Sequence, residues 1–237
     1  MKVRIKFAKS GAMRFIGHLD VMRFFQKAIR RAGIDVAYSE GFSPHQIMSF
    51  AAPLGVGLSS NGEYLDLEVK SHNGSEDMKR RLEEAMVEGI EVLHITMLED
   101  GTKNAMASVA AAEYSVKFRE GYAPDFDWPG RLAEFYQMPS ILVKKKTKKS
   151  ETELDLKSSI YRLWASGEGK DAIAHMVVNA SSSGNIKPGL VMEAFLKNNG
   201  EELQEFELEI TREEIFTEAG AEDGHHFIPL DAVGKEF

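Results

Sequence analysis

The most constraining feature of the sequence is the order in which two hydrophobic periodicities alternate along its first 104 residues. Apolar residues at every second position predict three strands, at 2–8, 63–70 and 92–98. A spacing of i, i+3, i+4 and i+7 predicts a helix over 19–32, and Ser75 is placed to cap a second helix. With extended segments at 34–38 and 46–52, the order is β-α-β-β-α-β, which is the ferredoxin-like pattern.

The same order of periodicities recurs in the second half, although the two halves share no recognisable sequence identity. The predicted strands, the second of which consists of two paired segments, lie at 113–119, 141–146 with 153–156, 172–178 and 206–216. Asp127 caps one predicted helix, Pro188 opens the other, and residues 157–169 are interpreted as an insertion. The sequence therefore predicts an α+β protein of two tandem ferredoxin-like domains, at residues 1–104 and 105–219, followed by a peripheral tail at 220–237.

The residue types exclude several kinds of site. The chain has no cysteine, so it forms no disulfide and holds no zinc or iron–sulfur cluster through thiolates. Nitrogen and oxygen ligands remain available, but nothing in the sequence leads us to assign a metal or a cofactor. No apolar run approaches the roughly 20 residues of a membrane helix, and residues 1–6 alternate charged with apolar side chains. We therefore expect a cytoplasmic protein without a targeting segment.

Charge is distributed unevenly along the chain. The net charge is −8, but residues 1–31 carry nine bases and one acid, which leaves −16 on the remainder. A basic end on an acidic body favours an anionic partner at that end. The alternative is that these bases face acidic residues elsewhere in the fold.

Four short motifs follow one another within the first 70 residues. They are Arg14-Phe15-Ile16-Gly17-His18-Leu19-Asp20, Tyr38-Ser39-Glu40-Gly41-Phe42-Ser43-Pro44-His45, Ser49-Phe50-Ala51 with Pro53-Leu54-Gly55, and Gly62-Glu63-Tyr64-Leu65-Asp66. In this order they resemble the radical SAM-linked protein family. The likeness is dense over residues 4–70 and sparse afterwards, where Thr147-Lys148-Lys149 and Leu154-Asp155-Leu156 continue it. Gln46 and Ser150 depart from the family pattern, which has proline and glycine at these places.

The resemblance implies a partner rather than a reaction. Members of that family are encoded beside radical SAM proteins or fused to them, often near ribonuclease and ribosomal genes, and no catalytic residues carry over. It therefore implies an accessory partner of a radical SAM enzyme that positions an RNA substrate for it. The alternative is an enzyme in its own right that processes or modifies RNA.

An RNA-processing or RNA-modifying enzyme needs a catalytic site, and the best candidates for its residues are His18, Asp20 and His45. An imidazole beside a carboxylate can transfer protons or hold a metal. We expect His18 and His45 to flank one shallow pocket with Asp20 at its rim. In this interpretation Gly41 and Pro44 stiffen the turn before His45, and Phe42 anchors that turn against the domain. The alternative role of Asp20 is to cap the helix.

Two basic groups are candidates for contacts with RNA phosphates. One lies along the first helix and the other occupies six consecutive positions in mid-chain: Arg23, Lys27, Arg30 and Arg31, and Lys144, Lys145, Lys146, Lys148 and Lys149. If the second group binds RNA, affinity should fall steeply with salt. The alternative is a solvated hairpin tip beside Glu151, Glu153 and Asp155.

Two other features of the first half are weaker candidates. Lys2, Arg4 and Lys6 on the first strand are expected to face Tyr64, Asp66 and Glu68 across the sheet, on its solvent side. Opposite charges paired in this way stabilise a sheet and cancel the field that a phosphate would meet, so this face is a poor RNA platform. The Gly-rich loop at 55–62 is expected to be a hairpin connection rather than a phosphate cradle, because it leads into a strand and not into a helix.

Overall fold

The computed structural model describes residues 1–146, 151–220 and 224–237, without the side chains of residues 145, 146, 151 and 152. It shows a mixed α+β protein with a large, mostly antiparallel sheet and a separate two-stranded hairpin. In chain order the elements of the first part are β1 (Lys2–Lys9), α1 (His18–Arg31), β2 (Met48–Phe50), β3 (Ser59–Glu68), α2 (Ser75–Glu83), β4 (Ile90–Leu98) and α3 (Ala105–Ser108). Those that follow are β5 (Ala111–Phe118), α4 (Trp128–Gln137), β6 (Leu142–Lys146), β7 (Glu151–Asp155), β8 (Ile160–Ser166), β9 (Ile173–Asn179), α5 (Pro188–Asn198), β10 (Leu208–Glu218) and β11 (Phe227–Pro229). None of the helices in these described ranges is long and apolar enough to cross a membrane.

The chain divides into two compact units. The first unit comprises residues 1–110 and 212–237, and the second comprises residues 111–211. The sequence instead placed residues 212–219 in the second domain and 220–237 in a tail. Strand β10 explains the difference, because it begins in the second unit and its residues from Arg212 onward belong to the first.

In the first unit the strands follow the order β4-β1-β3-β10, with β2 also paired to β3 and β11 to β10. β1 is antiparallel to both of its neighbours. Its alternating residues Val3, Ile5 and Phe7 are fully buried beneath α1 and α2, and the Phe7 and Phe25 rings lie 4.6 Å apart. The segment at 34–38 forms only isolated bridges to Val69 and Gln46, and not the extended strand that the sequence predicts.

The middle of the opposite face, at Arg4, Tyr64 and Asp66, is also buried, which corrects the expectation that these residues face solvent. Arg4 is opposite Asp66 in the β1–β3 register and forms a bidentate ion pair with it, at 2.7 and 2.9 Å. Arg4 is 0% exposed, because its guanidinium also donates to the carbonyls of Lys103 and Leu230. The predicted pairing of opposite charges therefore occurs, but beneath a layer of backbone. Leu230, from the segment expected to be peripheral, is fully buried in that layer.

The position of Gly62 explains the glycine-rich stretch before β3. Gly62 lies inside β3, and a Cβ atom there would sit 2.7 Å from the carbonyl oxygen of Glu213 on β10. Such a distance is too short for any side chain, so glycine is required for the close approach of two backbones. This requirement accounts for the glycine without a phosphate ligand.

In the second unit the strand order is β10-β5-β9-β8, with α4 and α5 packed on one face. Residues 160–166, which the sequence assigned to an insertion, form the edge strand β8 of this sheet. The hairpin of β6 and β7 lies outside the sheet, and both of its strands were expected within it. Asp127 caps α4 as predicted, because its side chain accepts a hydrogen bond from Gly130 N.

Candidate functional site

The three predicted catalytic residues have separate sets of neighbours. His18 begins α1 with its ring 5.2 Å from that of Phe50, and exposed Asp20 pairs with Arg23 at 3.4 Å. His45 is exposed, and its Nδ1 lies 2.9 Å from the hydroxyl of Ser39. Among the described residues, no hydrogen bond, ion pair or ring contact joins any two of His18, Asp20 and His45. Asp20 is also not the cap of α1, which is Gly17; it lies in the first turn, where its charge suits the helix dipole.

Phe42 does not anchor its turn. Its side chain is fully exposed at 112%. The turn is closed instead by polar contacts, in which Ser39 N donates to His45 O at 2.9 Å and His45 N donates to Ser39 Oγ at 3.1 Å. Because these bonds already fix both ends of the turn, no apolar anchor is needed. An aromatic side chain is thereby held in solvent on a braced loop.

Phe42 belongs to a set of large apolar side chains in or beside the family-like motifs, each of which is more than 40% exposed. The members are Phe15 at 61%, Leu19 at 61%, Tyr38 at 43%, Phe42 at 112% and Val56 at 61% exposure. We call these five residues the motif surface. A contiguous apolar patch on a protein surface commonly marks a site of interaction.

Two hydrogen bonds and the position of Leu19 place the residues of the motif surface beside α1. Gly57 N donates to Arg14 O at 2.8 Å, which brings the loop bearing Val56 beside Phe15. Leu19 lies in the first turn of α1, and the Gln46 side chain donates to Gln26 O at 3.2 Å, which holds the turn bearing Tyr38 and Phe42 beside the middle of the helix. The seven residues from Leu19 to Gln26 span about 10 Å of helix. The segments that carry the motif surface therefore adjoin α1 and the turn before it.

Only some of the basic residues predicted from the sequence lie beside the motif surface. The Arg14 guanidinium lies 4.8 Å from the centre of the Phe15 ring. Lys27 and Arg30 are exposed on α1, whereas Arg31 donates to the carbonyl of Ala85 at 2.7 Å. In the mid-chain cluster Lys144 faces Glu153 across the β6–β7 hairpin. The side chains of Lys145 and Lys146, and the whole of Lys148 and Lys149, lie outside the described residues.

A buried ionisable group beside His18 was not predicted. Lys9 continues the inward face of β1 and is only 2% exposed. Its ammonium donates to Ile16 O at 3.0 Å, and it lines a small cavity with His18 and Glu63. Burial lowers the pKa of Lys9. The negative charge of Glu63 raises this pKa and offsets part of the effect, whereas the positive charge of the nearby Arg212 lowers it further. The sequence could have indicated this buried group, because a lysine at the fourth inward-facing position of an apolar strand is unusual.

A second unpredicted cluster surrounds the hydroxyl of Tyr64. That oxygen lies 2.6 Å from Glu214 Oε1 and 3.0 Å from Asp231 Oδ1, and Lys6 pairs with the other oxygen of Glu214 at 2.5 Å. Burial and the two carboxylates raise the pKa of Tyr64 far above its ordinary value, so the hydroxyl stays protonated. Half-exposed His94 pairs with Asp231 at 3.0 Å. The cluster secures the segment that begins at Leu230, and its members are far apart in sequence, so no local motif reveals it.

The described residues contain no group of three or more His, Asp or Glu side chains arranged to hold a metal ion. The ionisable clusters are instead mixtures of acids and bases that satisfy one another. Acids and bases paired in this way do not require a bound ion to balance their charges.

The sequence comparison identifies the family. Residues 2–188 match the family described as "Uncharacterized protein conserved in bacteria (DUF2344)". The chain belongs to this family. The description of DUF2344 names neither a radical SAM protein nor an RNA, so those expectations stay predictions. No curated protein matches the chain in sequence.

Two solved structures are similar in part. One is titled "Crystal Structure of a Cbf5-Nop10-Gar1 Complex", with 12% identity, a TM-score of 0.48, and coverage of 90% of this chain and 48% of that chain. The other is titled "X-ray crystal structure of a heavy metal efflux pump, crystal form II", with 8% identity, a TM-score of 0.24, and coverage of 90% and 28%. The chain thus spans less than half the length of either. Neither likeness is close enough to carry an argument about function.

Proposed function

We propose that this DUF2344 protein is an accessory protein that docks onto a radical SAM enzyme through the motif surface. The observation that supports the proposal is the exposure of five large apolar side chains on α1 and on the segments that adjoin it. Exposing apolar area to water costs about 25 cal/mol per Å², and an interface recovers that cost. Aromatic side chains and arginines, which occur together here, are enriched in protein–protein interfaces.

The composition of the motif surface favours a protein partner over an RNA at this place. Leu19 and Val56 are aliphatic and cannot stack on bases as aromatic side chains do. Arg23 is paired with Asp20, which reduces the field that a phosphate would meet. The exposed Lys27 and Arg30 at the border suit an acidic rim on the partner.

The choice of a radical SAM enzyme rests on the family resemblance of the motifs. Because this chain has no cysteine, any cluster bound through thiolates, and the radical chemistry that depends on it, would belong to the partner. The cytoplasmic location and the RNA substrate expected from the sequence are parts of the same proposal. We do not extend it to an RNA-processing enzyme that uses His18, Asp20 and His45, since no described contact joins them.

We also propose the finer fold assignment, two tandem ferredoxin-like domains. Numbered within each repeat, the ferredoxin-like sheet has the strand order 4-1-3-2. In the first unit β4, β1, β3 and β2 follow this order, and in the second unit β10, β5, β9 and β8 do so. The β6–β7 hairpin would then be an insertion before the second strand of the second repeat.

Co-purification with the neighbouring radical SAM protein, with and without nuclease, tests the docking function. We expect the complex to survive nuclease treatment. Phe15→Ser and Phe42→Ser should each weaken it by about 30-fold, the equivalent of a 2 kcal/mol contact at the centre of an interface. Both residues are exposed, so the melting temperature should stay near that of the wild type.

Met106→Ser is the matched control, because Met106 is 60% exposed in the first unit and lies outside the motif surface. It should leave the affinity unchanged. Equal losses for Met106→Ser and Phe42→Ser would remove the motif surface from the interface. A complex that disappears on nuclease treatment would show that RNA, and not this surface, holds the two proteins together.

A further inference from the structure

The outward face of the sheet in the second unit carries a tryptophan. Along β8, Leu163 and Ala165 point into the core, so Arg162, Trp164 and Ser166 point outward. Trp164 is 36% exposed, whereas Trp128, the other tryptophan of the chain, is 1% exposed. Trp164 therefore lies on the outward face of the edge strand, and not in the core.

Trp164 is part of an ordered row across three strands. His175 on β9 is its direct neighbour in the register, and Ser115 on β5 is the next. The Trp164 and His175 rings are stacked, with centres 5.1 Å apart and planes at 12°. The Ser166 hydroxyl lies 2.7 Å from Nε2 of His175 and fixes the imidazole in this orientation. The aromatic surface is therefore preformed.

Basic side chains flank this row on both sides. The guanidinium of exposed Arg162 lies 5.4 Å from the centre of the Trp164 ring, and Lys117 is exposed on β5 beyond Ser115. Glu113 lies on the same face, toward the Arg162 side of β5, so the face is not strongly charged overall. Arg162 and Lys117 nevertheless lie on either side of the aromatic row, where the backbone of an extended ligand that crosses the row would pass.

We infer that this face, which we call the stacking platform and define by Trp164, His175, Arg162, Ser115 and Lys117, binds single-stranded nucleic acid. Proteins that bind single strands on a sheet stack the nucleobases on outward-facing aromatic residues and hold the phosphates with nearby arginine and lysine side chains. Stacked bases are about 3.4 Å apart, so Arg162 needs to move by only one or two ångströms for a base to enter between its guanidinium and the indole. Arg162 is exposed, so this movement does not require it to leave the core.

The inference goes beyond the docking function and does not depend on it. The stacking platform lies entirely in the second unit, and the motif surface lies entirely in the first. Nucleic-acid binding can therefore be lost without loss of docking, and docking without loss of nucleic-acid binding.

Intrinsic fluorescence tests the platform directly. Of the two tryptophans only Trp164 is accessible, so Trp128 supplies a constant background. Titration of the full chain with a short single-stranded oligouridine should quench the Trp164 emission, because a stacked base contacts the indole. Anisotropy of a labelled oligouridine gives the affinity independently. An emission unchanged throughout a titration in which the anisotropy rises would place the nucleic acid elsewhere and overturn the inference, and so would the absence of any binding.

Variants sharpen the test. Trp164→Ala should weaken binding about tenfold to hundredfold, the usual effect of removing one stacked base contact, and Trp164→Phe should retain most of the affinity. Tyr122→Ala is the matched control, since Tyr122 is 47% exposed in the second unit outside the platform. Equal affinities of Trp164→Ala and the wild type would overturn the inference. Equally tight binding of a duplex of the same length would do so too, because its bases are not free to stack.

Discussion

The buried ion pair between Arg4 and Asp66 allows a quantitative test of how the first unit is stabilised. Arg4 donates four hydrogen bonds, two to Asp66 and one each to the carbonyls of Lys103 and Leu230. Arg4→Met removes all of them and leaves the Asp66 carboxylate, 6% exposed, with Ala105 N as its only partner among the described residues. Breaking a buried pair from one side costs about 3–5 kcal/mol, a large part of the 5–15 kcal/mol that stabilises a typical domain.

The double variant separates the ion pair from the rest of the network. Asp66→Leu alone should also cost about 3–5 kcal/mol, because it leaves the Arg4 charge buried without its counter-ion. Asp66→Leu added to Arg4→Met should cost less than about 1 kcal/mol more, since the carboxylate it removes is already unpaired. The double variant still loses the bonds to Lys103 and Leu230, so it stays below the wild type.

Urea unfolding followed by far-ultraviolet circular dichroism measures these differences. Trp128 and Trp164 both lie in the second unit, so tryptophan emission reports that unit separately. The exposed pair of Asp20 and Arg23 is the matched control, and Arg23→Met should change stability by less than about 0.5 kcal/mol. Additive losses in the double variant, or a loss below about 1 kcal/mol for Arg4→Met, would refute the account of this buried pair.

Two further predictions concern the same unit. Gly62→Ala should lower the free energy of unfolding by about 1–3 kcal/mol, because the added Cβ would overlap the Glu213 carbonyl oxygen. Gly55→Ala should not lower it, because the nearest contact to its Cβ is at 3.5 Å. Thermal unfolding of the two variants measures the difference. Partial burial raises the pKa of Asp231, but His94, Lys6 and Tyr64 together hold it below its ordinary value. Its stabilisation is therefore complete above about pH 4 and is lost as the pH falls through the lowered pKa. Asp231→Asn should cost about 1 kcal/mol at pH 7 and progressively less in acid, and a cost independent of pH would contradict this.

Local patterns predicted the elements that depend on local forces. The helix expected at 19–32 is observed at His18–Arg31, and the strand expected at 92–98 is observed at Ile90–Leu98. Asp127 caps its helix because a capping side chain bonds to a backbone group three residues away. The cross-strand pairing of Arg4 with Asp66 was also predictable, because the alternation along both strands puts their charges on one face.

The candidate sites depended on contacts that no local pattern contains. The stiff turn before His45 was predicted, but the sequence could not show that Phe42 would point into solvent, since that depends on what lies beneath the turn. Trp164 lay in a stretch interpreted as an insertion, so its stacking on His175 could not be inferred before β8 was known to pair with β9.

The sequence by itself determined most of the strands and helices, the absence of thiolate chemistry and the family-like motifs around α1. Only the tertiary structure decided which faces of the sheets meet water. Residue periodicity distinguishes the two faces of a strand, but whether a second layer covers a face depends on distant segments. In the first unit the segment at Leu230 covers the polar face and buries Arg4. In the second unit the corresponding face leaves Trp164, on the edge strand β8, 36% exposed.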